Sequence, residues 1–343
     1  MRLLVCGGAG FIGSTFVARR LTATNDTIVV LDKLTYAGNR ANLAPLEADP
    51  VLTARLRFVA GDICDRPLVR ELAGDADAIV NLAAESHVDR SLLDADAFLH
   101  TGVEGVHVLL DAVRGADRPV RVVQVSTDEV YGPRLEGAST EADALRPSSP
   151  YAAAKAAGDM LVHAYRVTHG LDTVVTRGSN TYGPRQHPEK FVALSITNSL
   201  SDEPVPLYGD GSQVRSWLHV DDHADAISHA LDHGAAGEIY NIGGGRPLTN
   251  RTMVERVIVL TGGSPDLIRN VPDRPGHDVR YAIDGARLAA LGWHAQVGLD
   301  QGLTQTVAWY GDNVDWWRAA RSADWDAYYE RQYGWRLQAS TRP

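Results

Sequence analysis

The stretch VCGGAGFIGS, Val5 to Ser14, closes an apolar run that begins after Arg2 and opens a helix-length segment behind it. It satisfies Gly-x-x-Gly-x-x-Gly through Gly7, Gly10 and Gly13, and Gly-x-Gly-x-x-Gly through Gly8, Gly10 and Gly13. Glycines at this spacing permit a tight strand-to-helix turn and let the backbone approach a pyrophosphate at the helix N-terminus. The same loop also serves as a plain turn, so its weight depends on the residues beyond it. Asp32 ends the next apolar run, 19 residues beyond Gly13. A carboxylate there accepts from both ribose hydroxyls and repels a 2'-phosphate, which favours NAD over NADP. Lys33 pulls the other way, as a cation able to meet a phosphate. Asp62 in GDICD is the candidate partner of an adenine, or a helix cap.

Outward from this loop the chain keeps a regular rhythm. RLLVC, TIVVL, LRFVAG, AIVNLA, RVVQVS and TVVTR alternate with amphipathic segments up to Arg177, and EIYNIGGG comes later. That alternation predicts an α/β fold: a Rossmann-type, doubly wound, mostly parallel sheet of seven strands, with ligands beyond the carboxyl ends of the strands. The irregular pattern after Tyr182 predicts a smaller mixed α/β substrate-binding lobe. The expected division is 1–182 with about 217–245 for the dinucleotide domain, about 183–216 with 246–325 for the substrate domain, and 326–343 as a C-terminal tail. No polar linker separates the parts, so the lobes are expected to interleave around a cleft.

The 343 residues carry a formal net charge of -10, which argues against a nucleic-acid surface and leaves any phosphate to a few placed cations. Two cysteines, Cys6 and Cys64, are too few for a disulfide framework and lack zinc-site spacing, so no metal is expected and a reducing cytoplasm is. No run approaches a membrane span or a signal peptide.

Two further stretches carry chemistry. QVSTDEVYG, Gln124 to Gly132, ends a buried strand on adjacent acids, Asp128 and Glu129, which are costly there without partners or a task. SPYAAAKAAGD places Tyr151 and Lys155 four apart on one helix face, 24 residues after Thr127. A lysine beside a phenol favours the phenolate, so Tyr151 is expected to accept a proton near neutral pH.

With these motifs the chain resembles the extended short-chain dehydrogenase/reductase family, and within it the dTDP-glucose 4,6-dehydratase branch. GGAGFIGS, DKLTYAGNRANL, GDICD, NLAAESHVDRS, VSTDEVYG, SPYAAAKAAGD, SNTYGPRQHPEK, LYGDGSQVRSWLHVDDH, NIGGGRPLTN and DRPGHDVRYAID carry the match over most of residues 1–285. The glycine and Tyr-x-x-x-Lys motifs mark the superfamily; STDEVYG with AAESHVDRS marks the branch. The resemblance implies internal redox through bound NAD, with oxidation at C4, elimination across C5–C6 and reduction at C6. Tyr151 would take the C4 hydroxyl proton with Thr127 bonded to the same oxygen and Lys155 holding phenolate and ribose. Ionised Glu129 would remove the C5 proton, and neutral Asp128 would protonate the departing C6 hydroxyl.

The resemblance also assigns Phe11, Ile12, Ile63 and Ala83 to the cofactor. It places Ser86 and His87 near the glucosyl ring, Asn180 and Lys190 near sugar and diphosphate, and Arg215, Asn250, Arg274 and His277 around the nucleotide diphosphate. A homodimer is expected through the segments around Phe98–Val113 and Tyr151–Thr168. Thr181, Ser216, Gly102 and Val106 depart from the branch's usual Asn, acid, Asn and Thr; Gly102 is expected to remove a polar anchor near the site. The competing readings are a 4-epimerase, which has no use for the acid pair, a GDP-mannose 4,6-dehydratase, which resembles STSELYG with Ser for the first acid, and a non-catalytic dinucleotide sensor, which can lose the Tyr and Lys retained here.

Overall fold

A computed structural model describes residues 1–321 and 323–340. Its twelve strands are β1 (Arg2–Cys6), β2 (Thr27–Asp32), β3 (Leu56–Ala60), β4 (Ala78–Asn81), β5 (Arg121–Thr127), β6 (Thr173–Gly178), β7 (Asn180–Tyr182), β8 (Val205–Tyr208), β9 (Val214–His219), β10 (Ile239–Ile242), β11 (Arg246–Thr249) and β12 (Ile268–Val271). The central sheet runs β10-β6-β5-β4-β1-β2-β3, and every pairing in it is parallel. The order reverses between β1 and β4, which opens a crevice at their carboxyl ends.

Both faces of this sheet are apolar, as a parallel sheet covered by helices requires. Leu3 and Val5 point to one side, beneath Phe16 and Leu21 of the helix Phe11–Ala23 and Ile227 of the helix Val220–His233. Leu4 and Cys6 point to the other, beneath Val69, Leu72 and Leu109. The first two helices are tied by Arg20, which is buried and reaches Asp26 at 2.6 Å and Asp232 at 2.5 Å. A buried cation with two carboxylates satisfies its desolvation cost where a lone one does not.

The smaller lobe holds a three-stranded sheet, β11-β9-β7, antiparallel at β11/β9 and parallel at β7/β9, and the pair β12-β8. Its core gathers Tyr182, Trp217, Met253, Tyr310 and Trp317. β7 therefore belongs to the smaller lobe's sheet, although it lies inside the segment expected for the dinucleotide domain. The expected tail is instead helical over Ala323–Tyr329 and Trp335–Ser340, joined by a π turn; residues 341–343 lie outside the described residues. Trp325, Tyr328 and Tyr333 there are buried against Leu194. No helix is long and apolar enough to cross a membrane among the described residues.

Candidate active site

One cleft crosses the carboxyl ends of the central strands. It is lined by Gly7, Gly10, Phe11, Ile12, Gly13, Asp32, Lys33, Asp62, Ile63, Ala83, Ser86, Thr127, Asp128, Glu129, Tyr151, Lys155, Asn180 and Lys190, so these predicted residues do meet. At the glycine loop, Gly7 takes φ +76°, and a Cβ on it would sit 2.7 Å from the Ala83 backbone nitrogen. A Cβ on Gly13 would collide with the Gly7 carbonyl oxygen. Only glycine lets strand, turn and helix close this tightly. Asp32 accepts from Ala9 N at 2.9 Å and Leu34 N at 2.8 Å, one oxygen each, which aims its remaining lone pairs into the cleft. The loop, the uncapped helix start at Gly10 and this carboxylate fit a dinucleotide with an unphosphorylated ribose.

Lys33 meets protein groups, with Nζ 3.3 Å from Asp62 and 3.3 Å from Thr101. Asp62 accepts from Cys64 N, while the cap of the next helix is Asp65. Thr101 lies in a π turn, His100–Gly105, within the helical run Asp96–Arg114. Gly102, expected to weaken the site, faces away from it: a Cβ there would lie 3.2 Å from Ala154 Cβ, at the crossing with the helix Pro150–His169.

The acids occupy a 3₁₀ turn, Asp128–Tyr131, directly beyond β5. Thr127 caps it, accepting from Glu129 N at 3.3 Å and donating to Asp128 Oδ1 at 3.3 Å. Below, Tyr131 donates to Asn241 Oδ1 at 2.8 Å and accepts from Arg177, which is paired with Asp159 at 2.9 Å. Gly132, at φ +76°, ends the turn where a Cβ would strike the Arg146 carbonyl. Tyr131, Arg177, Asp159 and Asn241 were missed by the sequence reading; a buried arginine ending the apolar run TVVTR was the available signal.

Burial, reinforced by Glu129 and opposed by Arg215, pushes Asp128 up to about 7. Burial also raises Glu129; Arg274, Arg215 and Lys190 oppose that rise and Asp278 adds to it. Both acids are thus raised, chiefly by burial. Tyr151 departs from expectation: burial and Glu129 push its phenol up, opposed by the neighbouring Thr127 hydroxyl. Lys155 donates to Val125 O at 2.6 Å, and burial brings it down to about 8. The lysine is placed to orient; on its own it does not generate the phenolate.

His87, Arg215, Asn250, Arg274 and His277 do not line this cleft. His87 is buried with both ring nitrogens engaged, by Glu189 O at 3.2 Å and the Tyr328 hydroxyl at 3.1 Å, so it supports the wall rather than facing a sugar. The others form an adjoining network. Arg274 pairs with buried Asp89 at 2.9 Å, which also accepts from Tyr208 and Gln332. Arg215 donates to Asp278 O and stacks 4.7 Å over Tyr281. His277 meets Asp273 at 2.6 Å, and Asn250 keeps a buried side-chain oxygen without a protein partner. Arg90, unassigned by sequence, bonds Glu189 at 2.7 Å between the rings of Tyr36 and Tyr328.

Residues 4–306 match the family model described as GDP-mannose 4,6 dehydratase. A dTDP-glucose 4,6-dehydratase from Streptomyces niveus is 50% identical over 330 residues, 94% of this chain and 97% of the relative. DesIV, a dTDP-glucose 4,6-dehydratase from Streptomyces venezuelae solved with NAD and TYD bound, superposes with TM-score 0.89 at 50% identity, covering 93% of this chain and all of that one. The Thermus thermophilus UDP-glucose 4-epimerase complex with NAD reaches TM-score 0.83 at 33% identity over 91% of this chain and all of its own. The epimerase shares the scaffold, whereas the acid turn after β5 is the feature expected of a dehydratase. By family model, relatives and site alike, this chain belongs to the sugar-nucleotide 4,6-dehydratases of the extended short-chain dehydrogenase/reductase family, on their dTDP-glucose branch.

Proposed function

We propose that this chain converts dTDP-glucose to dTDP-4-keto-6-deoxyglucose, keeping NAD bound throughout. The observation that carries the reading is the buried Asp128–Glu129 turn beside Tyr151 in one cleft, with Asp128 raised to about 7. Asp128 also separates this chain from the GDP-mannose pattern, which has Ser there.

Bound NAD would supply the hydride acceptor at C4 and the donor at C6. Tyr151 takes the C4 hydroxyl proton, Thr127 bonds the same oxygen, and Lys155, anchored on Val125 O, holds phenol and ribose in register. The resulting C4 ketone makes the C5 hydrogen acidic. Glu129, whose rise on burial is opposed by Arg274, Arg215 and Lys190, removes it in its ionised form. Asp128, protonated up to about pH 7, gives its proton to the C6 hydroxyl, which leaves as water. Glu129 returns its proton to C5 as C6 is reduced. The proton left on Tyr151 passes back to Asp128, whose Oδ1 accepts from Thr127 at 3.3 Å, and the cycle closes.

Arg274 and Arg215 offer forked donors to the diphosphate, with Lys190, Asn250 and His277 completing that pocket. The test is product analysis by mass spectrometry after incubating the protein with dTDP-glucose and, separately, UDP-glucose and GDP-mannose. Loss of one water from dTDP-glucose supports the reading; epimerisation without water loss, or no turnover, overturns it.

The protein acts in the cytoplasm as a homodimer in this reading. Leu99, Met160 and Val167 stand exposed on the helices Asp96–Leu99 and Pro150–His169, a face suited to a two-fold four-helix contact.

A further inference from the structure

Beyond the carboxyl end of β3, away from the reacting groups, three metal-ligating side chains converge. Asp62 and Cys64 follow the strand, and His100 opens the π turn His100–Gly105. A carboxylate oxygen, the sulfur and a ring nitrogen from these three all lie within 4.8 Å of one another. No step of the mechanism uses the thiol or the imidazole. Spacing along the chain conceals the set, because His100 lies 36 residues beyond Cys64. The hydrogen bonds fix how each group is presented. Cys64 N donates to Asp62 Oδ1 at 2.9 Å, while Oδ2 stands 4.0 Å from His100 Nε2. His100 Nδ1 lies 2.9 Å from Glu104 Oε2. An ionised carboxylate can only accept, so Nδ1 carries the proton and, in the neutral ring, Nε2 keeps its lone pair. Metal-ligating histidines are typically held in this way, the second nitrogen donating to a carboxylate. Half-buried Cys64 has its Sγ 3.5 Å from the His100 carbonyl oxygen, so the sulfur lies beside the backbone that carries the ring.

A zinc-class ion holds O, N and S ligands at about 2.0–2.3 Å, which sets tetrahedral ligands roughly 3.4–3.6 Å apart. Side-chain shifts on the order of 1 Å bring the set to that spacing. His100 and Glu104 are both exposed enough to make them. Lys33 Nζ, 3.3 Å from Asp62 Oδ2, is the counter-charge in the metal-free chain, and its contact with Thr101 remains when an ion takes that oxygen. We propose that Asp62 Oδ2, Cys64 Sγ and His100 Nε2 bind one zinc-class divalent cation, with water as the fourth ligand. Glu104 is the positioning residue that orients His100. Thiolate and imidazole beside a single carboxylate select zinc or cobalt over magnesium or calcium. The Cys64 thiol proton passes to solvent as the sulfur–metal bond forms. The assignment stands independently of the reaction proposed above.

The test is titration of the full chain with Co²⁺, kept reduced, followed by competition with Zn²⁺. Wild type should develop a thiolate-to-cobalt charge-transfer band in the near ultraviolet with tetrahedral bands in the visible. Both should saturate at one ion per chain and vanish when Zn²⁺ displaces the cobalt. Cys64→Ser removes the charge-transfer band; Cys6 is buried in the core and supplies no substitute. His100→Asn weakens Zn²⁺ binding by at least about tenfold, as loss of a ligand should. Glu104→Gln, an exposed change that leaves all three ligands in place, keeps the band but lowers affinity about tenfold. Absence of the band in wild type, or its persistence in Cys64→Ser, overturns the site. Cobalt binding without thiolate character points to surface histidines and overturns it equally. Wild-type affinity in both His100→Asn and Glu104→Gln does the same.

Discussion

On the cofactor side of the cleft, shape is set by backbone: Gly7 and Gly13 allow strand, loop and helix to touch, and Asp32 is aimed by two main-chain N–H groups. On the substrate side, nearly every functional group is a charged side chain held by another, as Arg274 is by Asp89 and Arg90 by Glu189. A backbone site is compact in sequence, because neighbours in space are neighbours in the chain. A side-chain network draws on distant segments; Asp89 is contacted by Tyr208, Arg274 and Gln332. Damage should therefore be local and steric on the first side, distributed and electrostatic on the second.

The largest test bears on the junction of the two. Glu129→Gln leaves Tyr151, Thr127 and Lys155 in place, so oxidation at C4 proceeds and elimination stalls, with turnover down about 10²- to 10⁴-fold. Single-turnover spectra should show reduced cofactor persisting; wild-type turnover would make the acids structural. On the backbone side, Gly13→Ala forces a methyl into the Gly7 carbonyl, where neither partner can swing away. A loss of about 1–3 kcal/mol in stability is expected, with reduced NAD co-purification, measured by thermal unfolding and released nucleotide.

Arg274→Gln removes a forked cation from the proposed diphosphate site and unpairs Asp89. KM for dTDP-glucose should rise about tenfold with kcat less affected. Because Arg274 also pulls Glu129 down, the acid limb of the rate profile should move to higher pH in the variant. An unchanged KM would dissolve the contrast between the two sides.

The smallest effect concerns Asp128. Its folded pKa of about 7 exceeds the ordinary 3.8, so the folded state binds this proton more tightly. The associated stabilisation is complete below about 3.8 and is lost as pH rises towards 7. Asp128→Asn cannot ionise, so it should flatten this dependence and raise Tm at pH 8 by roughly 2–4 °C per kcal/mol recovered. Elimination in this variant should be slow at every pH, as melting curves and rate profiles run together will show.

The same contrast explains what could be read from sequence. The parallel sheet was legible because apolar runs ending in glycine or acid recur at regular spacing, and the lining from Gly7 to Lys155 came from contiguous motifs. The strand Asn180–Tyr182, at the edge of the segment expected for the dinucleotide domain, pairs in the smaller lobe's sheet, and three residues carry no periodicity to show it. His87 was placed at the sugar because its partner Tyr328 lies 241 residues away. Residues 326–343 read as a tail because what seats them, Leu194 in the smaller lobe, lies more than a hundred residues away in the chain. Burial, which raises Tyr151, is a property of the assembled cleft rather than of the Tyr-x-x-x-Lys spacing.

β10 joins the central sheet next to β6, yet the chain between Gly178 and Ile239 first builds much of the smaller lobe. Until that excursion returns, β6 is an open strand edge whose residues are all buried in the finished protein. Closing it requires a long loop to form before any pairing rewards it, which slows folding and leaves an adhesive edge exposed meanwhile. A chain stopped after Tyr182 would keep every glycine of the nucleotide loop and still present that edge to its neighbours, so the half that looks self-sufficient should aggregate when made alone.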